Sequence, residues 1–135
     1  MNIDKEHAEQ CWISLILRVA MAVLFGVAAF AKFKMGLGVS SAHIQGMFKD
    51  SWLPSALVAL YAAVLPFAEA LIAIWLLAGI KLRAAWVFTA FVLISLGFGL
   101  MAAQQSAGDV YVFVVMACLG IYFSRYDCCA MCCKK

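Results

Sequence analysis

Four long apolar stretches, separated by short polar segments, dominate the pattern along the chain. The first runs from about Trp12 to Ala31 and is closed by Lys32 and Lys34. The second follows Trp52-Leu53-Pro54 and extends to about Gly79, with the proline suited to a helix's first turn and the glycine to its end. After the basic turn Lys81-Leu82-Arg83 a third stretch covers about Ala84 to Ala103, and a fourth covers about Val110 to Phe123. A helix needs roughly 20 apolar residues to cross a bilayer core, so the pattern predicts an all-α, integral membrane, up-down-up-down four-helix bundle. Its spans fall at about 12–31, 54–79, 84–103 and 110–123. Short connections make sequence neighbours antiparallel.

Between the first two stretches, Ile44, Met47 and Phe48 recur at helical spacing behind Ser40-Ser41, which could serve as a cap. A short helix at the membrane surface is expected there, with an irregular loop as the alternative. Ala29-Phe30-Ala31 looks like a signal-peptide cleavage site. Against cleavage, the leader carries Asp4, Glu6 and Glu9 against Lys5, the apolar run is too long and Arg18 interrupts it. The first helix is expected to be retained.

Composition agrees with the pattern. The 135 residues are 67% hydrophobic and 13% charged, with mean hydropathy +1.02, whereas a soluble domain is about half apolar and a quarter charged. The net charge of +3 lies at segment ends and forms no stripe that could follow phosphates, so nucleic acid is not an expected partner. Basic residues at the ends instead report topology. Lys5, Lys81, Arg83, Arg125, Lys134 and Lys135 fall on the side of the termini and Lys32, Lys34 and Lys49 on the other. That bias predicts cytoplasmic termini in an inner membrane. Trp12, Trp75, Trp86 and Tyr126 are expected at the inner interface, and Trp52 and Tyr111 at the outer one.

Arg18 and Glu69 interrupt the apolar spans, and an ionisable group inside a bilayer is costly and ordinarily partnered or functional. Measured from Trp12 and Gly79 as inner boundaries, the two lie ~9 Å and ~15 Å deep, close enough to predict a bidentate Arg18–Glu69 pair. Ala22, Gly26 and Ala29 follow Arg18, and Ala62, Pro66 and Ala73 flank Glu69, so small residues let the backbones approach. Pro66 withholds an amide from the carbonyl of Ala62 and predicts a helix kink beside the carboxylate. The pair either fixes helix register or makes Glu69 a proton-exchanging or ligand-binding carboxylate.

Leu17-Arg18-Val19, Leu24-Phe25-Gly26 and Ala31-Lys32-Phe33, followed by Pro66-Phe67-Ala68-Glu69-Ala70 and Leu76-Leu77-Ala78-Gly79, resemble the DoxX family of small four-helix membrane proteins (DoxX/MauE-like). The resemblance covers roughly the first three spans and carries over Arg18, Lys32, Pro66 and Glu69. It implies a four-helix membrane fold and an association with redox chemistry. The family takes its name from subunits linked to a thiosulfate:quinone oxidoreductase, and related members accompany methylamine dehydrogenase maturation. A quinone link and membrane-protein partners are therefore expectations from resemblance.

Of six cysteines, Cys128, Cys129, Cys132 and Cys133 crowd a tail, residues 124–135, that the charge bias makes cytoplasmic. In a reducing compartment stable disulfides are disfavoured, and the Cys129-x-x-Cys132 spacing suits a soft metal ion or thiol exchange. Against a closed metal site, adjacent cysteines are poorly placed for four tetrahedral corners. Metal or thiol binding, acylation and a contact tail without chemistry stay open. Cys118 is expected as a small core residue, Cys11 is isolated, and His7 and His43 are expected at solvated or interfacial positions. Neither histidine lies within a span, so haem-borne electron transfer is not expected. Three functions remain: a subunit or accessory of a redox membrane complex, a purely structural assembly subunit, and a small proton- or cation-coupled transporter acting as a dimer around Glu69.

Overall fold

The computed structural model describes the chain over residues 3–126, with side chains described over 9–125. Among these residues the fold is all helical: α1 (Ile3–Met35), α2 (Leu37–Met47), α3 (Ser55–Ala78), α4 (Leu82–Ala102), α5 (Gly108–Phe123) and a terminal 3₁₀ turn, Ser124–Tyr126. Contacts join α1 to α3, α3 to α4, α4 to α5 and α5 to α1, closing a ring of four helices, while α2 packs on α3 and α1. The outer surface is greasy, with Ile16, Phe30, Leu60, Ile74 and Phe91 exposed. In water such a surface would be untenable; in lipid it is the ordinary outside of a helix bundle.

Three helices are long and apolar enough to cross a membrane: residues Glu9–Met35 of α1, α3 and α4. The chain is thus an integral membrane protein. The fourth, α5, is apolar but has 16 residues, ~24 Å of helix against a hydrocarbon core of ~30 Å.

The ends of α3 and α4 follow the expected chemistry. Pro54 stands at the N-cap of α3, and Gly79 closes it in the left-handed conformation, φ 71°, donating its amide to the Trp75 carbonyl. The Trp75 indole then donates to the Ile80 carbonyl at 2.7 Å, which ties down the turn into α4. The segment expected as a helix or a loop is helical, but it starts at Leu37 behind Gly36, φ 89°, so Ser40 lies inside α2 and is buried. Glycine at the positive φ between α1 and α2 lets two helices follow with a single residue between them, which made a serine cap unnecessary.

Two expectations are corrected. α1 begins at Ile3, well before Trp12, and its span-length apolar part is Glu9–Met35. Trp86, expected at the inner interface, turns its ring into the bundle and away from lipid: it is 1% exposed, a core residue whose indole lies over Gly120. A Cβ at Gly120 would stand 2.4 Å from the indole ring, so the ring occupies the volume that the glycine leaves open.

Candidate functional site

The register between α1 and α3 decides which charged groups meet. Gly26 faces Ala73, with 3.7 Å between a Cβ built at the glycine and the alanine Cβ. The rings of Phe33 and Phe67 meet edge to face at 5.6 Å. Lys32 and Glu69 form an ion pair. In each pair the residue numbers sum to about 100, the signature of two antiparallel helices in a fixed register.

In that register Glu69 faces Lys32, and Arg18 falls at the far end of α3. Nη1 of Arg18 lies 3.2 Å from the position a Cβ would take at Gly79. Gly79 is ten residues past Glu69, ~15 Å along the helix. The expected Arg18–Glu69 pair is therefore replaced by Lys32–Glu69. The depth estimate failed at its origin, since α1 runs out past the end of α3 and Trp12, 65% exposed, does not mark the level of Gly79. At Gly79 the guanidinium stands beside the last carbonyls of α3, where the helix dipole is negative and a cation is stabilising.

Glu69 sits on the buried stripe of α3, Val58, Ala62, Leu65, Glu69, Ile72 and Leu76, whose alternating steps of four and three residues form one helical face. Pro66 is buried beside this stripe and α3 runs unbroken through it. Glu69 is 14 residues from the start of α3 and nine from its end, ~21 Å and ~14 Å respectively. The carboxylate is thus deep within the helix. Lys32 comes from the last turn of α1, and its side chain keeps 21% exposure against 4% for Glu69. The lysine stem passes along the edge of the α1–α3 seam with its ammonium turned inward. Oε1 of Glu69 accepts from Nζ of Lys32, and Oε2 is buried with no hydrogen-bond partner among the described residues.

Such a pair has limited chemistry. In a low-dielectric setting two opposite charges in contact are held together, because parting them would leave each one uncompensated. The pair can clamp α1 to α3 and hold a carboxylate at depth. Nearby on α3, Tyr61 Oη meets Ser95 Oγ of α4 at 3.2 Å.

Among the described residues, no three of His, Cys, Asp and Glu come together as a metal site. Cys118 is free and exposed on α5, not the core residue expected, and His43 is exposed on α2. Cys128, Cys129, Cys132 and Cys133, the candidate metal or thiol residues, lie outside the described residues.

The residue that sequence reasoning missed as a site is Lys32, assigned only to topology and to the family motif. A signal was present: Ser14, Arg18, Ala22, Phe25, Ala29 and Lys32 follow one another in steps of four and three, so Lys32 lies on the same face as Arg18.

A family model described as methylamine utilisation protein MauE matches residues 10–111. The match spans about three quarters of the chain and takes in α1 to α4 with the start of α5, Lys32 and Glu69 included. No curated protein and no solved structure matches. The chain belongs to the MauE family.

Proposed function

We propose that this MauE-family membrane protein is an accessory subunit of a redox membrane complex, one that helps to assemble or couple an oxidoreductase whose catalytic centre belongs to a partner. The observation that carries the reading is the Lys32–Glu69 ion pair at the heart of a chain matched by a methylamine-utilisation family model. The described residues supply a buried clamp that fixes the α1–α3 register, and no three of their His, Cys, Asp and Glu gather as a metal site. In this reading all four packed helices cross the membrane, with α5 as a short span whose ends draw in the interface. Both termini face the cytoplasm of an inner membrane, as the basic residues indicate. The quinone link implied by the DoxX resemblance belongs to the partner complex, as does any electron-transfer step.

The test is extraction of the native protein in mild detergent and mass spectrometry of what migrates with it. A stoichiometric oxidoreductase, or a membrane subunit of one, is the expected result, with quinone in the same fraction. A chain that migrates alone and carries no quinone overturns the reading. Charge-removing changes at Lys32 and Glu69 are expected to reduce recovery of the complex and to leave any activity already assembled in the partner unaltered.

A further inference from the structure

At the end of the bundle away from the termini, two cavities lie side by side and share part of their walls. The outer one, about 250 Å³, has a polar rim formed by Gln45, Lys49, Ser51 and Ser55. The inner one, about 180 Å³, lies between α3 and α4 and is walled by Phe48, Leu57, Val58, Tyr61 and Phe98. Phe48, Leu53 and Val58 line both, so a single molecule could have its head in one and its tail in the other. Trp52, 74% exposed, packs edge to face on Phe98 with ring centres 6.3 Å apart. A tryptophan so placed marks the level of the membrane interface.

The chemistry of the inner cavity selects among occupants. Ser95 Oγ donates to the Val92 carbonyl at 2.8 Å, so in the 3.2 Å contact with Tyr61 the phenol is the donor. Both hydroxyl protons are then engaged within the protein, and the inner cavity offers hydrocarbon surface with no free donor. A quinone ring would need donors for its carbonyl oxygens; an acyl chain needs none. At the rim Lys49 has no ion-pair partner among the described residues, and Asp50, its neighbour in the chain, does not line the cavity. Gln45 spends one amide proton on Ser41 and Ser51 Oγ donates to the Phe48 carbonyl. The rim therefore presents a cation with uncommitted hydrogen-bonding capacity from Gln45 and Ser55.

We infer that these adjoining cavities are a binding site for one anionic phospholipid, with its headgroup phosphate against Lys49 and an acyl chain in the slot between α3 and α4. The site depends on the membrane placement of the chain and not on its redox role. It is built by the Phe48 turn after α2: a Cβ at Gly99 would stand 3.3 Å from the Phe48 ring, so the glycine lets that ring roof the slot.

The test uses the full chain in nanodiscs containing phosphatidylglycerol or phosphatidylcholine with dibrominated acyl chains. The Trp52 contribution to fluorescence is obtained by subtracting the Trp52→Phe variant. A single lysine near the headgroups favours an anionic lipid by about fivefold, so brominated phosphatidylglycerol should half-saturate Trp52 quenching at about one fifth of the mole fraction that phosphatidylcholine requires. Lys49→Gln should bring the two lipids to equality, and Ser95→Phe, which fills the slot, should abolish the saturable component in protein of unchanged helical content. Equal quenching of the wild type by both lipids overturns the inference. So does a preference that survives Lys49→Gln, a saturable component that survives Ser95→Phe, or shielding of Trp52 from both lipids by a second copy of the chain.

Discussion

Replacing Lys32 with Met and Glu69 with Leu, singly and together, separates the worth of the ion pair from the cost of stranding either half. Lys32→Met leaves a carboxylate whose side chain is 4% exposed without its cation. Loss of one partner from a buried pair costs about 3–5 kcal/mol. Glu69→Leu strands the ammonium instead, but Lys32 keeps 21% exposure and can turn its head outward, so this change should cost less, about 2 kcal/mol. The double variant strands neither group and fills the seam with apolar atoms, and hydrophobic replacement of a buried pair is often neutral or stabilising. Its cost should be no more than about 1 kcal/mol, which against single losses of about 5 kcal/mol or more together sets a coupling energy of about 4 kcal/mol or more. The assay is reversible unfolding in mixed micelles followed by helical content, repeated for Arg18→Gln, Glu69→Gln and their combination. Arg18 stands at Gly79, remote from the carboxylate, so that second cycle should be additive within about 0.5 kcal/mol. Additive losses for Lys32 and Glu69, or strong coupling between Arg18 and Glu69, would refute the α1–α3 register and the site built on it.

The remaining predictions concern glycines that pack helix against helix, read by the same unfolding assay. Gly120→Ala should cost about 3 kcal/mol, because the new methyl would stand 2.4 Å from the rigid, buried Trp86 indole. Gly79→Ala should cost about 1 kcal/mol or more, since its φ is 71° and Nη1 of Arg18 lies 3.2 Å from the added carbon. Gly26→Ala is the contrast: the added carbon meets Ala73 at an ordinary 3.7 Å, and the gain in helix propensity should leave stability unchanged or raised by about 0.5 kcal/mol. Loss at Gly26 equal to that at Gly120 would contradict the packing described.

Most of the fold was legible in the pattern of apolar stretches, because crossing a bilayer imposes a length and a composition that few other structures require. The ends of α3 were legible for the same reason: Pro54 and Gly79 act locally, through a fixed φ and a permitted left-handed turn, and both stand where the sequence puts them. Trp86 and Cys118 were misplaced because their environment is set by other helices. The indole is buried only since Gly120, on α5, makes room for it, and nothing near Trp86 in the sequence announces that.

The charged pair shows the same division at finer grain. Which residues of α1 face inward could be read from steps of three and four, and on that criterion Arg18 and Lys32 qualified equally. Choosing between them required the offset of α1 along α3, which no local signal supplies, and the assumption that Trp12 marks the membrane boundary chose wrongly. With the offset known, the two cations take different tasks. Arg18 attends the carbonyl end of α3, where the helix dipole favours a cation. Lys32 neutralises the one acid on the buried stripe of α3. The result is a helix pair locked in one register by the Lys32–Glu69 contact, with Oε2 of the carboxylate buried beside it. A register fixed in this way holds the α1–α3 surface in one shape, and the Lys32 and Glu69 cycle measures how much of that fixity the ion pair supplies.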